Sequence, residues 1–176
     1  PHRFDLDGAP AGDIDDVRIY NRVLSSQEIR VLAGYHPMQV SGYNPTPASS
    51  SLKLHYLPET LTGLGDGDPV SQWNDSSGGT VHATQFVLAQ QPQYSRGGIN
   101  DRPAISFGSG HRLTRGGCNV NLNSTAMTVI GVMRQTGTGG GNRGVFEQGD
   151  KLIYLHGASN QQLALYHSSE PTPPGE

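Results

Sequence analysis

The chain is poor in most of what marks an intracellular enzyme or a membrane protein. It has one cysteine, Cys118, so no internal disulfide can form. No histidine stands beside Cys118 in sequence, and it reads as a small half-buried residue rather than a thiolate nucleophile. Charged residues make up 15% of the chain, against roughly 25% in an average globular protein. The 12 Lys and Arg are scattered and the net charge is −3, so the basic footprint of a nucleic-acid-binding protein is missing. No apolar run approaches the roughly 18 residues that a membrane-spanning helix needs. Catalytic signatures are missing too. There is no Gly-x-Ser-x-Gly elbow and no metal-binding His pair. The Gly-rich "GTGGGNRG" does not lie between a strand and a helix, as a phosphate cradle would.

What is present is glycine and uncharged polarity. Hydrophobic residues are 34%, and the 24 Gly bring the apolar total close to the roughly 45–50% of ordinary domains, which counts glycine. Polarity comes from Ser, Thr, Asn and Gln. This composition suits an exported, β-rich protein, secreted or on a cell surface. The chain opens on Pro1 and closes on "PTPPGE", and both ends read as cut.

Periodicity supports strands. In "DIDDVRIY", Val17 and Ile19 point one way and Asp16, Arg18 and Tyr20 the other, as in a half-buried strand. Ser25 to Glu28 then form a capping-box pattern. It opens a short helix near residues 26–33, with Ile29, Leu32 and Ala33 on its apolar side and Gly34 closing it. Residues 35–51 carry three Pro and four Ser with no period, and read as a linker. "SLKLHYL" alternates Leu52, Leu54 and Tyr56 against Lys53 and His55. A strand is expected around Ala104 to Phe107. "AMTVIGVMR" (126–134) is apolar on both faces and reads as a central strand. "GVFEQ", "KLIYLH" and "QLALYH" follow at close spacing, the rhythm of an all-β sandwich.

The stretch "GDIDDVRIYNRVLSSQEIRVLAG" resembles the closing strand and helix of concanavalin A-like, laminin G-like domains of bacterial exported proteins. A looser match runs through "LTGLGDGDPVSQWNDSSGGTVHATQ", "QPQYSRGGINDRPAISFGSGHRL" and "TAMTVIGVMRQTG", in the order that the start of such a domain follows. The resemblance implies an antiparallel jelly-roll sandwich, incomplete in this chain. Residues 1–34 would be the tail of a first domain, 35–51 the linker, and 52–176 the N-terminal part of a second. It also raises the possibility that the Asp13–Tyr20 strand folds back to fill the second domain's open edge.

The same resemblance frames the chemistry. Glucanases of that superfamily carry a Glu-x-Asp-x-x-Glu strand, and none of the five Glu here, at 28, 59, 147, 170 and 176, falls in that pattern. Glu147 and Asp150 stand three apart in what reads as a polar turn. No catalytic residue is assigned. Relatives of the superfamily often bind calcium at the sandwich rim, and oxygen-rich clusters suit that ion. The candidates are Asp13, Asp15 and Asp16, with Asp66 and Asp68 in "GLGDGDP". The ordinary alternatives are an Asp16–Arg18 pair and simple turn chemistry at Asp66–Pro69. For ligand contact the candidates are Trp73, Asn74 and Asp75. Trp73 either stacks on a sugar or, as its place before an Asp-Ser-Ser-Gly turn favours, anchors its loop from within. His55, His156 and His167 read as strand residues. The expected function is a non-catalytic binding or adhesion module for a glycan or a protein surface, with neighbouring domains of the same chain as further partners. The alternatives are a structural spacer in a tandem array and an accessory domain of an exported glycoside hydrolase.

Overall fold

A computed structural model of the chain describes residues 3–7, 12–34, 49–116, 126–135, 142–148, 151–156 and 162–167. The strands are β1 (Arg3–Asp7), β2 (Gly12–Tyr20), β3 (Leu52–Tyr56), β4 (Gln72–Trp73), β5 (Ala83–Thr84) and β6 (Gln93–Ile99). They continue with β7 (Arg102–Phe107), β8 (Arg112–Gly116), β9 (Thr128–Gln135), β10 (Asn142–Gln148), β11 (Lys151–His156) and β12 (Gln162–His167). One α-helix, α1 (Ser26–Leu32), follows β2. The expected linker lies almost wholly outside the described residues, as do Cys118 and Asp150.

Every strand pairing is antiparallel. One sheet has seven strands in the order β12-β11-β10-β1-β8-β5-β4, and the second has β3-β2-β7-β6 with β9 also on β2. The core lies between them. Trp73, Ala83 and Leu113 come from the first sheet, and Ile14, Val17, Ile19, Leu54, Tyr56, Ile105 and Phe107 from the second. The protein is therefore an all-β, sandwich-like fold.

The first two strands each lie inside one of the two sheets. β1 is held between β8 and β10. β2 has β9 along one edge, and along the other β7 as far as Ile14, then β3 from Val17. Val17 and Ile19 face the core at 6% and 1% exposure, as the alternation requires. The strand 126–134 has a different place from the expected one. Among the described residues β9 pairs only with β2, and Val132 is 40% exposed. Its two apolar faces do not reflect a central position.

Local chemistry explains the turns. Ser25 accepts a hydrogen bond from the Glu28 amide, and the Glu28 carboxylate accepts one from the Ser25 amide, completing the capping box. Gly34 ends the helix at φ +83°, a conformation that favours glycine. The helix buries no residue completely, and Ile29 is 42% exposed. Asn100 and Asp101, at φ 51° and 59°, form the two-residue turn between β6 and β7. Two left-handed residues in succession match the right-handed twist of the strands they join.

Candidate functional site

The outer face of the five-stranded sheet concentrates the charges. β2 is bulged at its middle. Its register against β9 jumps between Asp15 and Arg18, and Asp16 has φ 46°. Asp16 and Val17 thus oppose a single residue, Gly131. The extra residue lets both Ile14 and Val17 face the core. It also sends Asp15 and Asp16 outward together, at the point where β7 gives way to β3.

The carboxylates on this face are differently served. The Asp13 Oδ2 accepts from Arg134 Nη2 at 2.6 Å and Nε at 3.1 Å. Arg134 lies over it, 54% exposed against 5% for the Asp13 side chain. Asp16 accepts from Arg18 Nε at 2.6 Å and Nη2 at 2.7 Å, a bidentate pair. His55 Nε2 lies 3.0 Å from the same Asp16 Oδ1. Burial works against ionisation of Asp16, but the hydrogen bonds from His55 and Arg18 hold its carboxyl below the usual range. Asp15 is only 5% exposed and its Oδ1 has no hydrogen-bond partner. Its neighbours Glu59 and Arg102 are paired with each other at 2.6 Å. Burial, then the Glu59 and Asp16 charges, push the Asp15 carboxyl up.

Among the described residues no three His, Cys, Asp or Glu side chains are grouped to hold a metal. Of the calcium candidates on β2, Asp13 and Asp16 are each paired with an arginine, and Asp15 Oδ1 is left without a hydrogen-bond partner. Asp66 and Asp68 brace their own loop. Asp66 Oδ1 accepts from the Arg96 amide at 2.9 Å, and Asp68 Oδ2 from the Gly65 amide at 2.6 Å. Asp68 uses the turn chemistry that served as the alternative, while Asp66 ties the loop to β6.

Two of the three expected ligand residues, Trp73 and Asp75, are buried. Trp73 is 0% exposed and stacks on Tyr56, with ring centroids 5.3 Å apart, so it has no face to offer a sugar. The Tyr56 hydroxyl donates to the Val81 carbonyl at 2.5 Å. Asp75, 8% exposed, organises the loop after Trp73. Its Oδ1 accepts from the His55 and Ser77 amides at 3.0 and 2.9 Å. Its Oδ2 accepts from Ser77 Oγ at 3.0 Å. Asn74 Oδ1 accepts from Gln72 Nε2 at 2.7 Å. Trp73 and Asp75 shape the loop from inside, the role weighed for Trp73 as an anchor, while Asn74 is partly exposed beside Gln72.

A different loop faces outward, and sequence reasoning passed over it. Between β5 and β6, Phe86, Val87 and Leu88 are 88%, 53% and 68% exposed. Two buried glutamines hold them there. The Gln85 side-chain oxygen accepts from the Val87 amide at 2.9 Å, and Gln91 Nε2 donates to the Gln85 carbonyl at 2.7 Å. The Gln85 amide itself donates to the Ser71 carbonyl at 2.8 Å, and the Gln90 amide to the Val87 carbonyl at 2.9 Å. The signal was in the sequence: three successive apolar residues in a non-periodic, polar stretch are an anomaly unless they serve a contact. Nearby, from Val70 to Gln93, the only charged side chain is the buried Asp75.

No family model, curated protein or solved structure matches the chain.

Proposed function

We propose that the protein is a non-catalytic binding module of an exported or cell-surface protein, built on a concanavalin A-like jelly roll, that engages uncharged glycan or protein surfaces. One observation carries this reading: Phe86, Val87 and Leu88 are held in water on a hydrogen-bonded loop. Exposing three large apolar side chains is unfavourable by roughly 1.5–3 kcal/mol for each fully exposed group relative to burial. A loop braced to keep them exposed is preorganised for contact, so little is lost in ordering it on binding. The single charged side chain in the sequence from Val70 to Gln93, the buried Asp75, favours an uncharged counter-surface over an anionic membrane or nucleic acid. The resemblance of Gly12–Ile29 to the end of laminin G-like domains and the low-charge composition support the export and the fold.

A glycan array, run with calcium and with chelator, tests the reading. The expected result is a bound subset of neutral glycans, lost at least tenfold when Phe86, Val87 and Leu88 are all replaced by Ser, with the melting temperature unchanged. Loss of binding with chelator alone would place calcium in the site. If nothing binds at millimolar concentration, with immobilised proteins tested alongside, the module is a spacer.

A further inference from the structure

Among the described residues, the opening segment up to Gly34 shows no core of its own. β1 and β2 lie in different sheets and form no ladder with each other, and α1 buries no residue. Ile14, Val17 and Ile19 are the segment's members of the core cluster, and every other member lies between Leu54 and Met133. The remainder of the chain is equally incomplete without the segment. Among the described residues β9 has no ladder partner but β2. β3 has β2 and one isolated bridge between Tyr56 and Asp75. β8 and β10 are joined only through β1. One part is a plug, the other a slot, and residues 35–48 are the sole covalent link between them.

We infer that the plug is exchangeable between copies, so that residues 1–34 of one chain can close the sandwich of a second copy of this chain. The contacts are the same whether plug and slot share a chain or not. What selects the closed single chain is the covalent link itself, which raises the effective concentration of plug and slot, on the order of millimolar in linked modules generally. Exchange then takes over when chains refold together at comparable concentration, or when plug and slot of one chain are mismatched.

Asp13 and Arg134 provide the mismatch, being partners in the β2–β9 register and joined at 2.6 Å. Full-length chains carrying Asp13→Lys and Arg134→Glu each oppose like charges in the closed form. Exchange between them sets the introduced lysine against the introduced glutamate, and native Asp13 against native Arg134. Equal amounts, unfolded and refolded together, are expected to give a two-chain species of one copy of each, in at least tenfold excess over like pairs by native mass spectrometry. It should melt several degrees above either variant alone. Single-chain masses with each variant's own melting temperature would overturn the inference. So would pairs formed without regard to charge, which mark association elsewhere on the surface.

Because Asp13 is buried and its variant can fail to fold, a second pair is run in a Cys118→Ser background. Asp15→Cys is placed on one chain and Val132→Cys, its register partner, on another. Exchange predicts an interchain disulfide joining unlike chains after joint refolding. Its absence, or equal disulfide formation when natively folded chains are simply mixed, would contradict exchange.

Discussion

The strand Gly12–Tyr20 and the loop Gln85–Gln91 reverse each other's chemistry. The strand is acidic yet buried, with Asp13 and Asp15 at 4% and 5% exposure. The loop is apolar yet in water, with Phe86 at 88%. Hydropathy alone would place each where the other is. The strand is buried because the topology needs it: β9, β7 and β3 all pair with it, and arginines neutralise two of its carboxylates. The loop is exposed because hydrogen bonds to Gln85 and Gln91 keep it from collapsing. Acidic residues here are built into the fold, and apolar ones are held outside it.

The largest effects should come from the strand and the core it completes. Ile19→Ala should cost about 2–5 kcal/mol, and Trp73→Ala about 3–5 kcal/mol, the range for large buried side chains. Denaturant unfolding measures both. A loss under about 1 kcal/mol at Ile19 would mean that β2 is a docked accessory and not the middle of a sheet.

A smaller loss is expected at the helix that follows. Ser25→Ala should cost about 1 kcal/mol through the lost cap. The Glu28 carboxyl is held down to about 2, first by Arg22 and then by the Ser25 amide. A depressed carboxyl stabilises the fold above its unfolded value of 4.5. That contribution should fade as pH falls from there toward 2, and Glu28→Gln should remove this part of the pH dependence.

Asp15 should act with the opposite sign. Its folded carboxyl is raised above 3.8, so the native state binds the extra proton. Stability should fall as pH rises from 3.8 through the raised value. Asp15→Asn should abolish that decline and leave the protein at least as stable at neutral pH. A destabilised variant would show that the charged carboxylate has a partner the geometry does not reveal.

The smallest effect on stability belongs to the loop. Phe86→Ser should change unfolding free energy by no more than about 0.5 kcal/mol, as surface substitutions do, while removing glycan or surface binding. A large loss of stability there would turn the exposed ring into a structural element and dissolve the contrast.

Much of this was legible in the sequence where local chemistry decides. The capping box, the alternation at Val17 and Ile19 and the faces of Leu54, Tyr56 and His55 all follow from residue spacing, and β11 and β12 coincide with their apolar runs. What escaped depends on partners distant in sequence. The bulge at Asp16 resets which residues face inward, and it is defined only against Gly131. The β9 segment reads as central because both of its faces are apolar, yet its position is set by β2, more than a hundred residues earlier. Asp13 reads as an acidic cluster member in sequence, and its partner Arg134 lies more than a hundred residues away. Phe86, Val87 and Leu88 could have been singled out as an apolar run, but their exposure depends on the hydrogen bonds to Gln85 and Gln91.

Amide hydrogen exchange tests most directly whether the opening segment is the centre of the fold. The Ile14 and Ile19 amides should be protected to the level of global unfolding, together with those of β7 and β3, while the Phe86 amide exchanges freely. If Ile14 and Ile19 exchange as fast as Phe86 while β6 and β7 stay protected, the sandwich stands without its first strands and the account is wrong.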